Sequence, residues 1–390
     1  MKIAVVCDSF KGSLTSKDAC AAVKDGLLRC NKNFEVLSLP FADGGEGTSR
    51  CFYDILGGQL RKAAVHDPLL REITAEYTVL PDGTDVIDIA SASGLTLLKS
   101  SERDAVKVSS LGSGELICDA AEHGAKHIIL GLGGSATTDA GTGILYALGM
   151  RFFSEDGVEV LPDGQNMIRV KKIRRTENFE RFKDIKFTLA CDVTNPLCGE
   201  NGAAYVFSPQ KGASKNDVKL LDNGLRNIGE IFEKASGKKI INLPGAGAAG
   251  GIGGGLSAFL NCELQSGFDV LARAASLEDK IRRSDAVITG EGKTDRQTLF
   301  GKLPKRVSDI AEKFGVPCIL LSGDVENDIS AEKLGVCEIH KIKENGISLE
   351  HCMKNAASLL SERAFAIGKD SKIINKQYNR KQEKMRENER

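Results

Sequence analysis

The sequence predicts an α/β fold with two sheets, a parallel one drawn from both ends of the chain and a mixed one in its middle. Three observations carry this. Apolar strand-like runs alternate with helical spacing near the start and again after Ser284, the grammar of a parallel sheet. Between them, residues 73–79 alternate with period two toward a Pro81-Asp-Gly83 turn, which belongs to a hairpin. The glycines, 42 of 390 residues, gather in a few strand-end loops rather than spreading evenly.

Taken in order, residues 3–7 form a continuous apolar strand and 14–28 have helical spacing. A second strand covers 35–39 and a second helix 48–56. Residues 73–79 and 85–89 are the arms of the hairpin. Residues 127–130 form a buried strand, followed by the run Gly131-Leu-Gly-Gly-Ser-Ala-Thr-Thr-Asp-Ala-Gly-Thr-Gly143 and a helix over 144–148. Another strand spans 186–191, and a loop rich in Asn, Pro and Gly leads to Gly212. A long helix over 217–235 follows, and the run 245–255 opens another. The α/β grammar then returns with strand 286–289, helix 304–314, strands 318–322 and 338–342, and helix 349–366. Matching ends around a mixed centre predict one discontinuous domain, 1–66 with 284–368, carrying an inserted domain over 67–283. The polar tail 369–390 reads as a solvated helix extension or disorder, without a functional claim.

Formal net charge is zero, so no global field recruits nucleic acid or a membrane surface. The first apolar run meets Asp8 too early for a signal peptide, and no apolar segment approaches the length of a membrane span. Eleven cysteines, scattered without paired spacing, read as reduced thiols of a cytoplasmic protein rather than a disulfide frame or zinc site. Cys7 and Cys191, each beside an aspartate, read as small buried hydrophobes rather than nucleophiles.

The glycine run after residues 127–130 is the most informative motif. A strand feeding a glycine turn and then a helix offers bare N–H groups and the positive end of a helix dipole to an anion. Gly133 and Gly134 allow the close approach, Ser135, Thr137 and Thr138 add hydroxyl donors, and Asp139 offers a carboxylate to a metal or a proton. Asp8-Ser9-Phe-Lys11 closes the first strand, where open parallel sheets place their ligands. Ser9 and Lys11 there can take a carboxylate or phosphate, or merely cap the following helix. Asp43 and Glu46 sit among three glycines after the second strand and can hold Mg²⁺ or hydroxyl groups.

Asp192 and Asn195 stand on the loop after residues 186–191, with Gln210 and Lys211 beyond. A carboxylate base and a lysine paired with transferring oxygens are what phosphoryl transfer asks of a protein. Residues 245–250 match G-x-G-x-x-G and 131–136 its G-x-G-x-x-A variant. Neither opens the first strand–helix–strand unit, the run beyond residue 134 is polar where a dinucleotide helix is apolar, and Ala-Gly runs also let helices pack closely. The Thr289-Gly-Glu-Gly-Lys-Thr294 segment fails as a Walker loop because Val287 stands where its first glycine is required. What remains is a strand-end loop with Glu291 and Asp295, and Gly301-Lys302 opening the next helix, able to take an anion or metal.

Together these segments resemble the type-1 glycerate kinase family. The matching stretches, in family order, are residues 8–13, 42–48, 131–143, 191–197, Phe207 with 209–213, 245–251, and 289–292 with Asp295. They span roughly residues 1–368. The resemblance implies phosphorylation of D-glycerate by ATP with Mg²⁺, the 2-phosphate being the favoured product. It also implies a flavodoxin-like parallel-sheet domain carrying an inserted, restriction-enzyme-like mixed domain. On that reading Asp8, Ser9, Lys11 and Glu46 bind glycerate, and Gly133, Gly134, Ser135, Thr137 and Asn195 bind ATP. Asp139 and Asp295 serve Mg²⁺. Asp192 orients or deprotonates the attacking hydroxyl, Lys211 steadies the transferring group, and Asp43 joins them as a catalytic acid. The family more often has Asn-Asp-Gly-Gly where this chain has Thr138-Asp139-Ala140-Gly141. No nucleic acid or membrane partner is expected, and a homodimer is allowed. A kinase for another small hydroxy acid, a non-catalytic glycerate or nucleotide sensor, and a nicotinamide dehydrogenase are the rival readings.

Overall fold

The computed structural model describes residues 1–42, 44–344 and 346–388. The chain divides into two compact units, 1–43 with 271–390 and 44–270.

The first unit holds a five-stranded sheet whose neighbours all run parallel. Its strands lie in the order Glu338–Lys341, Cys318–Ser322, Ala286–Gly290, Lys2–Cys7, Glu35–Pro40. Register places Val5 opposite Ile288 on one side and Ser38 on the other. Ile3 to Val6 are fully buried. Such strands read as continuous apolar runs because helices cover both faces of a parallel sheet. Helix Ser16–Cys30 starts at Thr15, whose hydroxyl accepts the Asp18 N–H, and packs against helix Ala356–Asp370. The approach is so close that a Cβ on Gly26 would stand 2.0 Å from the Ser361 carbonyl oxygen.

Two expectations change in this unit. The helix expected over 349–366 is two helices, Leu349–Lys354 and Ala356–Asp370. Asn355 closes the first, its N–H and its side-chain amide both donating to the His351 carbonyl. The charged tail, expected as a solvated helix extension or disorder, is the helix Lys372–Asn388, and it docks on this unit instead of standing in solvent. Ile374 is fully buried in the unit's core, Tyr378 meets the Phe34 ring edge-on at 5.9 Å, and Lys381 pairs with Asp285 at 2.7 Å. The three contacts recur at i, i+4 and i+7, a one-sided stripe too sparse to stand out among the charges.

The second unit is built on a six-stranded mixed sheet in the order Asn261–Gln265, Lys186–Ala190, His127–Gly131, Asp85–Asp88, Glu72–Val79, Gln59–His66. The first four run parallel and the last two close the sheet antiparallel. The sequence hid the strand Gln59–His66, which pairs with the whole length of Glu72–Val79. The expected hairpin of 73–79 with 85–89 is reduced to two residue pairs, Thr78 with Val86 and Val79 with Asp85. Asp85–Asp88 instead turns inward to run beside His127–Gly131, so all four of its residues are buried. One end of this sheet therefore gathers the carboxyl ends of four parallel strands, and Asp88, the glycine turn and Asp192 follow from three of them. No helix among the described residues is long and apolar enough to cross a membrane.

Candidate active site

The glycine turn takes its shape from close backbone contacts within the second unit. After the strand His127–Gly131, the Leu132 N–H donates to the Ala190 carbonyl at 3.1 Å and the Gly133 N–H to the Gly44 carbonyl at 3.0 Å. A Cβ on Gly133 would stand 2.4 Å from the Gly45 Cα, a backbone atom that cannot rotate aside. Gly134 then takes φ +79°, in the left-handed region. Such a turn leaves donors over: among the described residues the N–H groups of Gly134, Ser135 and Thr137 find no protein acceptor. The Thr137 hydroxyl is likewise buried without a partner. Gly134 is exposed, but Ser135 and Thr137 are buried; unpaired buried donors cost stability, so these point to an anion they are built to meet.

Lys211 enters this turn from the short helix Pro209–Lys211. Its side chain is only 3% exposed. Its Nζ donates to the Thr137 carbonyl at 2.6 Å and to Ser135 Oγ at 2.9 Å. Burial pushes the ammonium down to about 7, with Asp139 working in the opposite direction. Ser208 Oγ and Thr138 Oγ1, 2.9 Å apart, tie the same short helix to the turn.

Asp139, expected as a metal ligand, is fully buried and already coordinated by protein donors. One carboxylate oxygen accepts the N–H and hydroxyl of Ser110 and the Gly143 N–H; the other accepts the Gly141 N–H. Burial raises its pKa against the pull of these donors. The helix beyond is only Thr142–Ala147. Asp139 takes N–H groups at the start of that helix, which are therefore not free for a ligand. Ala140 sits at φ +53°, a conformation that favours glycine. The glycine run 245–255 backs the turn: the Ala140 N–H donates to the Gly250 carbonyl at 3.0 Å. A Cβ on Gly250 would stand 2.0 Å from the Thr137 carbonyl oxygen. Close packing, rather than a dinucleotide fingerprint, explains that run.

Glu46, grouped by the sequence with Asp8, Ser9 and Lys11, belongs to the second unit. It is exposed, its Cβ lies against Gly134, and it accepts a hydrogen bond from Thr96 Oγ1 at 3.3 Å. Asp88 is the residue the sequence missed here. Buried at the end of its strand, it accepts the Gly47 and Ser49 N–H groups, both at 3.0 Å, and so ties down the loop that carries Glu46. Burial, with Glu46 adding to it, pushes Asp88 up to about 7 despite those two bonds. An acid closing a strand was its only signal, obscured because residues 85–89 read as an outward hairpin arm. Asp192 is exposed on the loop after Lys186–Ala190. Asn195 holds that loop together, its amide donating to the Asn201 carbonyl at 2.8 Å. Asp43 lies outside the described residues.

The first unit brings Asp8, Ser9, Lys11 and Asp295 together around a cavity of about 530 Å³. The Ser9 N–H donates to the Asp8 carboxylate at 2.6 Å. Asp295 caps the helix Arg296–Leu299 and pairs with Lys302 at 3.3 Å. Burial works against its ionised form, but Lys302 and the helix amides hold its carboxyl below the usual range. Glu291, buried beside it, accepts a 2.6 Å bond from Thr298 Oγ1, and burial raises its pKa. Lys302, which the sequence placed in the same strand-end loop as Glu291 and Asp295, and Lys343, for which the sequence offers no signal beyond a lysine near a loop, also line it.

Residues 3–372 match the model of the glycerate kinase family. The chain is 38% identical to a glycerate kinase of Halalkalibacterium halodurans, over 93% of this chain and 96% of that one. It is 41% identical to the glycerate 2-kinase of Escherichia coli K12, over 84% and 87%. The crystal structure of a protein from Salmonella typhimurium LT2, provisionally named glycerate kinase 2, superposes with a TM-score of 0.83 at 34% identity, covering 94% of this chain and 97% of that one. The chain belongs to the glycerate kinase family.

Proposed function

We propose that this protein phosphorylates D-glycerate with ATP to give 2-phospho-D-glycerate. The observation that carries the chemistry is the Lys211 ammonium, buried against a turn that also holds unpaired N–H groups and a buried, unpaired hydroxyl. In surroundings with little water, such preorganised donors neutralise developing charge far better than they would in solvent. Lys211 would steady the oxygens of the transferring phosphoryl group, with Gly133, Gly134, Ser135 and Thr137 shaping its cradle. Asp192 would orient or deprotonate the attacking hydroxyl, and Glu46 would hold the neighbouring one. Asp43 is proposed beside Glu46 on sequence grounds alone, and Asn195 as the residue that holds the Asp192 loop. The name of the Escherichia coli relative supports the 2-phosphate as product.

Mg²⁺, when bound, would supply charge neutralisation on the phosphate oxygens. Asp295 fits it, being partly exposed on the cavity wall. Asp139 does not, because four donors already occupy its oxygens; its place is to hold the turn. An ion carried by phosphates needs only one or two carboxylates of the protein.

The strand order of the first unit, numbered along that unit as 2-1-3-4-5, supports the flavodoxin-like description. For the second, mixed-sheet unit we retain the restriction-enzyme-like description, and a discontinuous domain with an insert is our reading of the chain. The eleven unpaired cysteines support a cytoplasmic protein.

A coupled ADP-release assay with Mg-ATP and D-glycerate, with the product read by phosphorus NMR, tests the proposal. Turnover with the signal of a 2-phosphate is expected. A folded protein that turns over a different hydroxy acid, or none, would overturn it.

A further inference from the structure

The cavity of the first unit lies outside the carboxyl ends of Lys2–Cys7 and Ala286–Gly290, the two strands from which Asp8 and Glu291 emerge. These are the strands at which the sheet order reverses. From Lys2–Cys7 the chain steps outward to Glu35–Pro40, and from Ala286–Gly290 it steps the other way to Cys318–Ser322 and Glu338–Lys341. In open parallel sheets the connections diverge at that point and leave a crevice for a ligand.

Its walls do not suit glycerate alone. A volume of about 530 Å³ falls among sites for much larger ligands, which span about 300–1,000 Å³. Glycerate, three carbons each bearing oxygen, would leave most of it empty. Part of its lining is apolar: Phe10, Ile342, Leu349, Met353 and Ala356. Leu349 is 61% exposed and Met353 37%, so two large apolar side chains of the lining turn surface to water.

The polar part of the lining sets cations beside carboxylates. Lys302 pairs with Asp295 at 3.3 Å and Lys343 with Asp324 at 2.6 Å. Lys11 has no ion-pair partner among the described residues. Partly exposed pairs of this kind contribute little to stability, so a polyanion can draw the lysines away and leave the carboxylates for its counter-cation.

We propose that this crevice binds the adenine nucleotide, its base against Leu349, Met353 and Ile342 and its phosphate chain on Lys11 and Lys302. A flat aromatic base covers the exposed apolar lining, a polyphosphate meets the lysines, and Asp295 stands where a phosphate-borne divalent cation needs an oxygen ligand. Asp8, Ser9 and Lys11 thereby become nucleotide contacts, and the glycine turn with Lys211 is left for the acid and the group it receives. The assignment rests on the kinase reading above.

The test is binding of Mg-ADP, measured by titration calorimetry in the absence of glycerate. Leu349→Asp and Met353→Glu place charge in the apolar lining at exposed positions, and each is expected to weaken ADP at least tenfold. Lys211→Met is expected to leave ADP affinity within threefold. Hydrogen exchange on the wild-type protein gives a check that needs no variant: ADP should slow exchange over residues 291–295 and 349–356. Undiminished ADP binding by both lining variants, or protection confined to residues 132–139, would overturn the assignment and leave the kinase reading standing. A wild-type protein that binds no ADP at all would remove the kinase reading with it.

Discussion

The Lys211 ammonium lies 2.6 Å from the Thr137 carbonyl oxygen, so the cation is fixed by the backbone of the turn that carries the unpaired donors. Replacing it by methionine keeps the volume and removes the charge. Turnover should fall by about 10²–10³-fold, the usual loss of one preorganised charge-stabilising group. The melting temperature should stay within a few degrees, because the loss of two hydrogen bonds is offset by no longer burying an ammonium. Unchanged turnover in Lys211→Met would remove it from the mechanism.

Because burial holds Lys211 down to about 7, the free protein loses that positive charge as pH rises through neutrality. The profile of kcat/KM should therefore show a basic limb near pH 7, and anion binding near pH 8 should take up a proton, visible as buffer-dependent binding enthalpy. Asp88 titrates in the same range, so the limb needs assigning. Asp139 is the charge that lifts Lys211, and Asp139→Asn should move the limb to lower pH. A limb that stays in place belongs to another group.

Asp139→Asn should also destabilise the fold. An amide presents one acceptor oxygen where the carboxylate presents two. At least one of the Ser110, Gly141 and Gly143 N–H groups is then left buried and unpaired, at about 1–3 kcal/mol each. Urea unfolding measures this. If Asp139 were simply a metal ligand, stability without Mg²⁺ would not change and only the metal dependence of activity would.

Gly133→Ala forces a methyl to within 2.4 Å of the Gly45 Cα. Two backbone segments must separate, which should cost about 1–3 kcal/mol and loosen the turn. We expect a lower midpoint in urea together with a raised KM.

Ile374→Ala tests the docked tail helix. Ile374 is fully buried, so truncation should cost about 2–5 kcal/mol of unfolding free energy. A change below about 0.5 kcal/mol, the range of ordinary surface substitutions, would mean that the helix Lys372–Asn388 does not pack in solution as described.

Local chemistry was legible in the sequence wherever neighbouring residues carried it. The buried strands showed as apolar runs at residues 3–7, 127–130 and 286–289, because covered strands need no polar face. The glycine turn and the Lys211 segment showed because left-handed backbone and close approach require particular residue types. Other features depended on contacts between distant residues. The sequence could not tell that Gln59–His66 pairs with Glu72–Val79, since exposed edge strands lack a strong pattern. It could not tell that Asp139 is filled by Ser110, 29 positions away, rather than open to a metal. Nor could it separate Glu46 from Asp8, Ser9 and Lys11, which the fold assigns to different units. Which turns can form is set by the conformational limits of each residue. Which acid is a ligand, which is a brace, and whether a lysine is charged are set by burial and by partners that only the tertiary structure supplies.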